Sequence, residues 1–129
     1  LILFLNTIYL LQEGKKEKRL IVTVFKIKLF CLLGFTPRID KCNMCGQVLF
    51  DGTKHDEIYY DYVMNVFCCK NCIGNKDKKR YIMVNEATVI AVRYISLTAM
   101  KKIFSFSISD LDNLYLFGQV FTDTMTNGI

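Results

Sequence analysis

The chain has 129 residues, the length of one domain, and 52% of them are hydrophobic, enough to bury a sizeable core. No uncharged apolar run nears the ~20 residues of a membrane-spanning helix, and no basic leader or small-residue cleavage site marks a secreted chain. The net charge of +5 is uneven: residues 1–80 hold 14 Lys/Arg against 8 Asp/Glu, and residues 81–129 hold 3 against 4. Contact with nucleic acid is therefore permitted mainly by the first part.

Residues 1–12 form a short apolar segment, helix or core strand. The lack of an initiator methionine and this apolar start lead us to expect a fragment. Residues 13–19 (EGKKEKR) are a charged turn around Gly14. Residues 20–35 fit two periods. Sixteen residues is long for a strand, so length favours a helix. Its apolar stripe is Leu20, Val24, Ile27 and Cys31, its polar stripe Arg19, Thr23 and Lys26, and Lys28 falls out of pattern. Gly34 and the Thr36-Pro37 step end it.

Residues 38–80 hold the most informative feature, two cysteine pairs: Cys42-Asn43-Met44-Cys45 and Cys69-Lys70-Asn71-Cys72. The two-residue gap lets both sulfurs of one tight turn face a single tetrahedral ion, and Zn²⁺ takes four thiolates in closed structural sites. The 23 residues between Cys45 and Cys69 make a slightly long loop, which the ion does not constrain. Gly46 lets the backbone reverse just after a ligand. Cys68 competes with Cys69, and the spacing to Cys72 favours Cys69. Cys31 reads as a small core residue. Disulfides would need a secreted scaffold, and a redox CxxC would need one pair rather than two matched ones. Unpaired cysteines fit a soluble, reducing compartment. Alternating pieces such as Ile58-Tyr59-Tyr60-Asp61-Tyr62-Val63 suit a small hairpin between the knuckles. Residues 73–80 (IGNKDKKR) are a basic loop.

Asn65-Val66-Phe67-Cys68 leads into the second knuckle, and Tyr81-Ile82-Met83-Val84-Asn85 steps into a helix. Asn85 is its N-cap, and Ile90, Tyr94, Leu97 and Thr98 share one face. A last helix starts at Ser109, with Asp110 and Asp112 in its first turn and Leu111, Leu114, Tyr115 and Gly118 at helical spacing.

The run Leu29-Phe30-Cys31-Leu32-Leu33-Gly34-Phe35-Thr36-Pro37-Arg38-Ile39-Asp40-Lys41-Cys42 carries a family pattern. An apolar helix ends in Leu-Gly-aromatic-x-Pro and a CxxCG knuckle follows. The chain resembles the C-terminal region of the bacterial recombination mediator family RecO, most specifically over residues 32–72. The resemblance implies a mainly α fold: helical over 1–37 and 81–129, with an inserted four-cysteine zinc-knuckle region with short β pieces over 38–80. It also implies an N-terminal OB-fold domain outside this sequence, and structural Zn²⁺ on Cys42, Cys45, Cys69 and Cys72. It implies no enzymatic activity. The implied partners are single- and double-stranded DNA, the RecR protein, the tail of single-strand-binding protein and, indirectly, RecA. No membrane partner is implied, and the expected location is the bacterial cytoplasm, at the nucleoid. The family often has a glycine pair just before the second knuckle, which this chain lacks.

Other candidates are weaker. Lys76, Lys78, Lys79 and Arg80, and Lys15, Lys16, Lys18 and Arg19, could contact phosphates, although such runs are commonly solvated loops. Tyr59, Tyr60 and Tyr62 could stack on bases, but burial against the hairpin is the expectation. His55, the single histidine, reads as a solvated loop residue. Nothing resembles a catalytic constellation. The rivals are a generic zinc-ribbon nucleic-acid module and a CxxC thiol oxidoreductase.

Overall fold

The computed structural model describes residues 2–49, 57–74, 78–98, 104, 108 and 110–127. His55, Lys76 and Ser109 lie outside these residues. The expected mainly α architecture with a small inserted sheet is present. The elements are helices α1 (Ile2–Glu13), α2 (Lys18–Phe30), α4 (Glu86–Leu97) and α5 (Leu111–Asn127), strands β1 (Ile58–Asp61), β2 (Val66–Cys69) and β3 (Tyr81–Val84), and the one-turn helix α3 (Lys70–Ile73); α2 packs on α1, α4 and α5, and α5 meets the sheet at β3.

The apolar first segment is a helix. α1 packs on α2, the two being joined by residues 14–17. α2 ends in a π-helical turn, Cys31–Phe35, where Gly34 sits at φ +99°. That left-handed backbone suits glycine and stops the helix ahead of Pro37.

The polar stripe expected on α2 lies along α5, with Arg19 exposed, Lys26 half-buried and Thr23 buried. Arg19, Thr23 and Lys26 meet α5: Arg19 Nη2 donates to Asp112 Oδ1 at 2.9 Å, and Lys26 Nζ donates to Gln119 Oε1 at 3.0 Å. Thr23 is buried beside Gly118. Lys28 is also buried, and its Nζ donates to the Thr98 carbonyl at the end of α4 (2.9 Å). Such long side chains can line a helix interface with their stems while their heads find polar partners.

α2 and α5 approach closely because Gly118 has no side chain. A Cβ there would lie 2.8 Å from Thr23 Cγ2. Gly118→Ala is expected to cost about 1–3 kcal/mol by overpacking, less the ~1 kcal/mol that alanine gains in helix propensity. Thr23→Ser removes the clashing methyl and should restore tolerance. Urea midpoints of both single variants and the double variant check this.

The sheet order is β2-β1-β3, antiparallel throughout, with Tyr60 opposite Phe67 on one side and Ile82 on the other. The hairpin expected between the knuckles is β1–β2. The third strand corrects the expected boundary: Tyr81–Val84 belongs to the sheet of the insertion, so regular helix resumes only at Glu86. Tyr60, Phe67, Phe117 and Phe121 join sheet to α5, with ring centroids 4.8–5.8 Å apart, the spacing of favourable aromatic pairs.

Asn85 caps α4, its Oδ1 accepting from the Thr88 N–H at 2.8 Å. The face of α4 that packs inward is Thr88, Val89, Ala91, Val92 and Ile95, whereas Ile90 and Leu97 are exposed. The expected Ile90–Thr98 face was therefore the outer one. Both stripes are apolar at helical spacing, and only the position of α2 and α5 selects between them. Asp110 Oδ1 accepts from the Asn113 N–H at 3.1 Å, and Asp110 Oδ2 accepts from Asn85 Nδ2 at 2.6 Å. One carboxylate thus ties together the starts of α4 and α5.

Candidate metal centre

The first knuckle is a tight turn. The Cys42 N–H donates to the Gln47 carbonyl at 2.8 Å, and the Gly46 N–H donates to the Cys42 carbonyl at 2.9 Å, with Gly46 at φ +77°. The turn is fastened to the sheet where the Asn43 N–H donates to the Phe67 carbonyl at 3.0 Å. The second knuckle begins at the end of β2. Cys69 has extended backbone and precedes α3, which carries Cys72 and ends at Gly74. The lack of a glycine pair before this knuckle is met by Asn65, which takes positive φ (+57°) in the β1–β2 turn. Its Oδ1 accepts from the Tyr60 hydroxyl at 2.6 Å and its Nδ2 donates to the Phe35 carbonyl at 2.8 Å.

These turns bring Cys42, Cys45, Cys69 and Cys72 together, with all four sulfurs within 4.8 Å of one another. Cys45 Sγ lies 3.8 Å from Cys69 Sγ, and Cys69 Sγ lies 3.4 Å from Cys72 Sγ. Metal–sulfur bonds of ~2.3 Å in a tetrahedron require sulfur–sulfur edges near ~3.8 Å. The residues present therefore fit a metal ion held by four thiolates.

The electrostatics agree. Burial pushes the Cys42 thiol up, but N–H groups of Cys45, Cys69 and Met44 outweigh it and bring the pKa down to about 6. Burial raises the pKa of Cys69 and of Cys72, and hydrogen bonds among the neighbouring thiols raise that of Cys72 further. Four clustered sulfurs cannot all ionise without a cation among them.

Cys68 is excluded from the cluster. Successive side chains of a strand point to opposite faces, and Cys68 is fully buried in the core. Burial and the charges of Cys42 and Asp61 push its thiol up to about 11, which keeps it protonated. We expect Cys68→Ser to keep the metal content of the wild-type chain and Cys69→Ser to lower it, as read by atomic absorption. Cys31 is half-buried at the end of α2, packed against the core as expected.

The basic candidates divide. Arg80 donates from Nε and Nη2 to the two oxygens of buried Asp61, at 3.1 and 2.7 Å. Arg19 is held by Asp112 and lies over the Tyr115 ring. Lys15 is exposed and pairs with Glu13, 3.1 Å away. Lys18 and Lys79 are exposed and Lys16 is half-buried. Tyr59 and Tyr60 are buried, and Tyr62 is half-buried with its hydroxyl donating to the Lys79 carbonyl. The hairpin tyrosines therefore serve packing, as expected.

Sequence reasoning missed two features. Asp61 organises the hairpin, which no local pattern announces. A cleft of about 250 Å³ lies between the Pro37 segment and α4, lined by Thr36, Arg38, Ile39, Arg93, Ser96 and Leu97 among others. Its two arginines are 55 positions apart in the sequence, so only folding unites them.

A family profile described as "Recombination protein O C terminal" matches residues 1–115. The chain belongs to the RecO family. It is 33% identical over 114 residues to a "DNA repair protein RecO" of Acetivibrio thermocellus, covering 87% of this chain and 43% of that protein. Proteins of the same description from Clostridium perfringens and Bacillus pumilus are 24% and 27% identical over 83% and 60% of this chain, and 44% and 27% of theirs. The RecO-family chain thus spans less than half the length of these curated relatives. No solved structure matches it. Among the described residues no helix is long and apolar enough to cross a membrane.

Proposed function

We propose that this domain is a non-enzymatic module of a DNA repair and recombination mediator, which presents basic and apolar surface to DNA and protein partners from a scaffold stapled by one structural zinc. The observation that carries this reading is the family match over residues 1–115. Zinc is the ion favoured by four thiolates in a tetrahedral cluster, and four protein ligands leave no open position for substrate, which makes the site structural. The wider activity we assign to the whole protein is binding of single- and double-stranded DNA, strand annealing, pairing with RecR, and support of RecA loading, in the bacterial cytoplasm at the nucleoid. Helices α1, α2, α4 and α5 weigh against a free-standing zinc ribbon. A thiol oxidoreductase would turn over a disulfide substrate and lose that turnover when zinc is added.

DNA binding by residues 1–80 should be sequence-independent and steeply salt-sensitive, because its source is counterion release. The informative variant replaces Lys76, Lys78 and Lys79 by alanine but keeps Arg80, whose loss would unseat Asp61. If all three lysines meet single-stranded DNA, the slope of log K against log salt should flatten by about 2. An unchanged slope in fluorescence-anisotropy titrations removes the loop from the interface.

A second reading is favoured by the cleft. Arg38 and Arg93 supply positive charge, and Pro37, Ile39 and Leu97 supply an apolar wall. This suits the acidic, apolar-ended tail of single-strand-binding protein. Saturable binding of a tail peptide, weakened by Arg38→Glu, with no DNA binding would make this a protein-docking domain and overturn the DNA-contact reading.

A further inference from the structure

The turn between β1 and β2, residues 62–65, is built by the residues beside its tip. Asp61 Oδ1 accepts from the N–H groups of Val63 and Met64 at 3.0 and 3.1 Å. Asn65 takes the left-handed position at φ +57°, and its side chain is tied to the Tyr60 hydroxyl and the Phe35 carbonyl. Asp and Asn are residues that make such turns. Val63 and Met64 do neither job. Each is 59% exposed, and neither belongs to the core or packs against it. Turn tips favour small and polar residues, and water disfavours exposed apolar ones. Two adjacent apolar side chains on a rigid mount therefore call for a partner outside the fold.

Cations stand on both sides of this tip. β1 lies between β2 and β3. On the outer edge of β2, Arg38 pairs with Val66; its N–H donates to the Asn65 carbonyl at 3.2 Å and its carbonyl accepts from the Phe67 N–H at 3.3 Å. On the other side the turn Lys78–Arg80 leads into β3, and the Tyr62 N–H donates to the Arg80 carbonyl at 3.2 Å. Arg38 and Lys79 are exposed. Asp61, the acid at this end of the sheet, is buried and taken by Arg80. Exposed Asp40 stands two residues beyond Arg38, toward the first knuckle. Phe35, which Asn65 holds by its carbonyl, is 36% exposed and adds an aromatic side chain to the same corner.

An apolar point between two exposed cations matches a single nucleic-acid strand. Such a strand carries an anionic phosphate at every residue, and its unstacked bases offer apolar faces. A duplex keeps its bases stacked, so side chains of this kind reach them only at the cost of unstacking.

We propose that the β1–β2 turn is a contact site for single-stranded DNA, in which Val63 and Met64 lie against unstacked bases and Arg38 and Lys79 meet the phosphates on either side. This rests on the DNA-binding reading above and adds to it a contact that does not depend on charge.

The test uses the zinc-loaded 129-residue chain, a labelled oligothymidine and a blunt duplex, in anisotropy titrations over a range of salt. Val63→Ser with Met64→Ser should weaken single-strand binding about tenfold, the loss of roughly one buried apolar side chain. The loss should be the same at every salt concentration, because no cation is removed. Duplex binding should be unchanged. Lys79→Ala should instead flatten the single-strand salt slope by about 0.7. The thermal midpoint of the double variant should barely move, since Asp61 and Asn65 hold the turn. Should that variant fail to fold, photocrosslinking of the unsubstituted chain to an oligonucleotide carrying 5-iodouracil decides, with the crosslink expected within residues 62–66. Unchanged single-strand affinity in the double variant, or crosslinks only elsewhere, overturns the proposal and leaves the DNA reading standing. Absence of single-strand binding by the unsubstituted chain overturns both. Loss of acidic-peptide binding in the double variant, with DNA binding intact, assigns the tip to a protein partner and overturns the proposal as well.

Discussion

Removing the metal should unfold the two knuckles and leave the helices. Structural zinc contributes roughly 10–16 kcal/mol of apparent binding energy in zinc-finger peptides, where it is the whole fold. Here the load is local. Residues 38–49 and 69–74 have few regular elements of their own, and their turns converge on four sulfurs. The β1–β3 pairing and the Tyr60, Phe67 and Phe117 rings hold the rest of the sheet to α5 without the ion. After chelation, or in Cys69→Ser, amides of the knuckles should lose exchange protection while the far-UV helical signal largely survives. Loss of all helical signal would refute this division.

Acid should act in the same direction as chelation. The Cys42 pKa is depressed from 9.0 to about 6 in the folded chain. The stability it contributes is thus fully present above its unfolded value and is lost as the pH falls through about 6. Metal binding also requires deprotonated thiols, so metal release should steepen over the same range. An absorbance titration of released zinc with a colorimetric chelator measures it.

The second large effect is expected at Asp61. Its side chain is 5% exposed and accepts from Arg80 at 2.7 and 3.1 Å. It also accepts from the N–H groups of Val63 and Met64 at 3.0 and 3.1 Å. One carboxylate therefore closes the β1–β2 turn and joins β1 to the approach to β3. Breaking a buried ion pair by deleting one partner costs ~3–5 kcal/mol. The Arg80 side chain is 41% exposed and can be rehydrated, so we expect Asp61→Ala to cost about 3 kcal/mol, the low end of that range. Asp61→Asn keeps an acceptor for the turn and should cost less. A double-mutant cycle with Arg80→Ala should show coupling of at least about 1 kcal/mol. A shift within about 0.5 kcal/mol for Asp61→Ala, the range of ordinary surface changes, would show that the pair is not structural.

Local chemistry was legible in the sequence. Two CxxC pairs with Gly46 specify a four-sulfur cluster because each pair needs only its own turn. The preference for Cys69 over Cys68 follows from helix and strand geometry within four residues. Asn85 announces its helix because a cap bonds an N–H three positions away. Choices that depend on distant partners were not legible. α4 carries two apolar stripes, and the packing of α2 and α5 buries Val89, Val92 and Ile95 rather than Ile90 and Leu97. Arg19, Thr23 and Lys26 read only as a polar stripe, because periodicity reports polarity and not the neighbour. In the fold, Asp112, Gly118 and Gln119 of α5 receive them. Arg80 read as a free cation until the sheet placed it on Asp61, 19 residues earlier. A sequence pattern encodes which side chains share a face. Which face is buried is decided by the free energy of packing whole elements together, and that exists only in the tertiary structure.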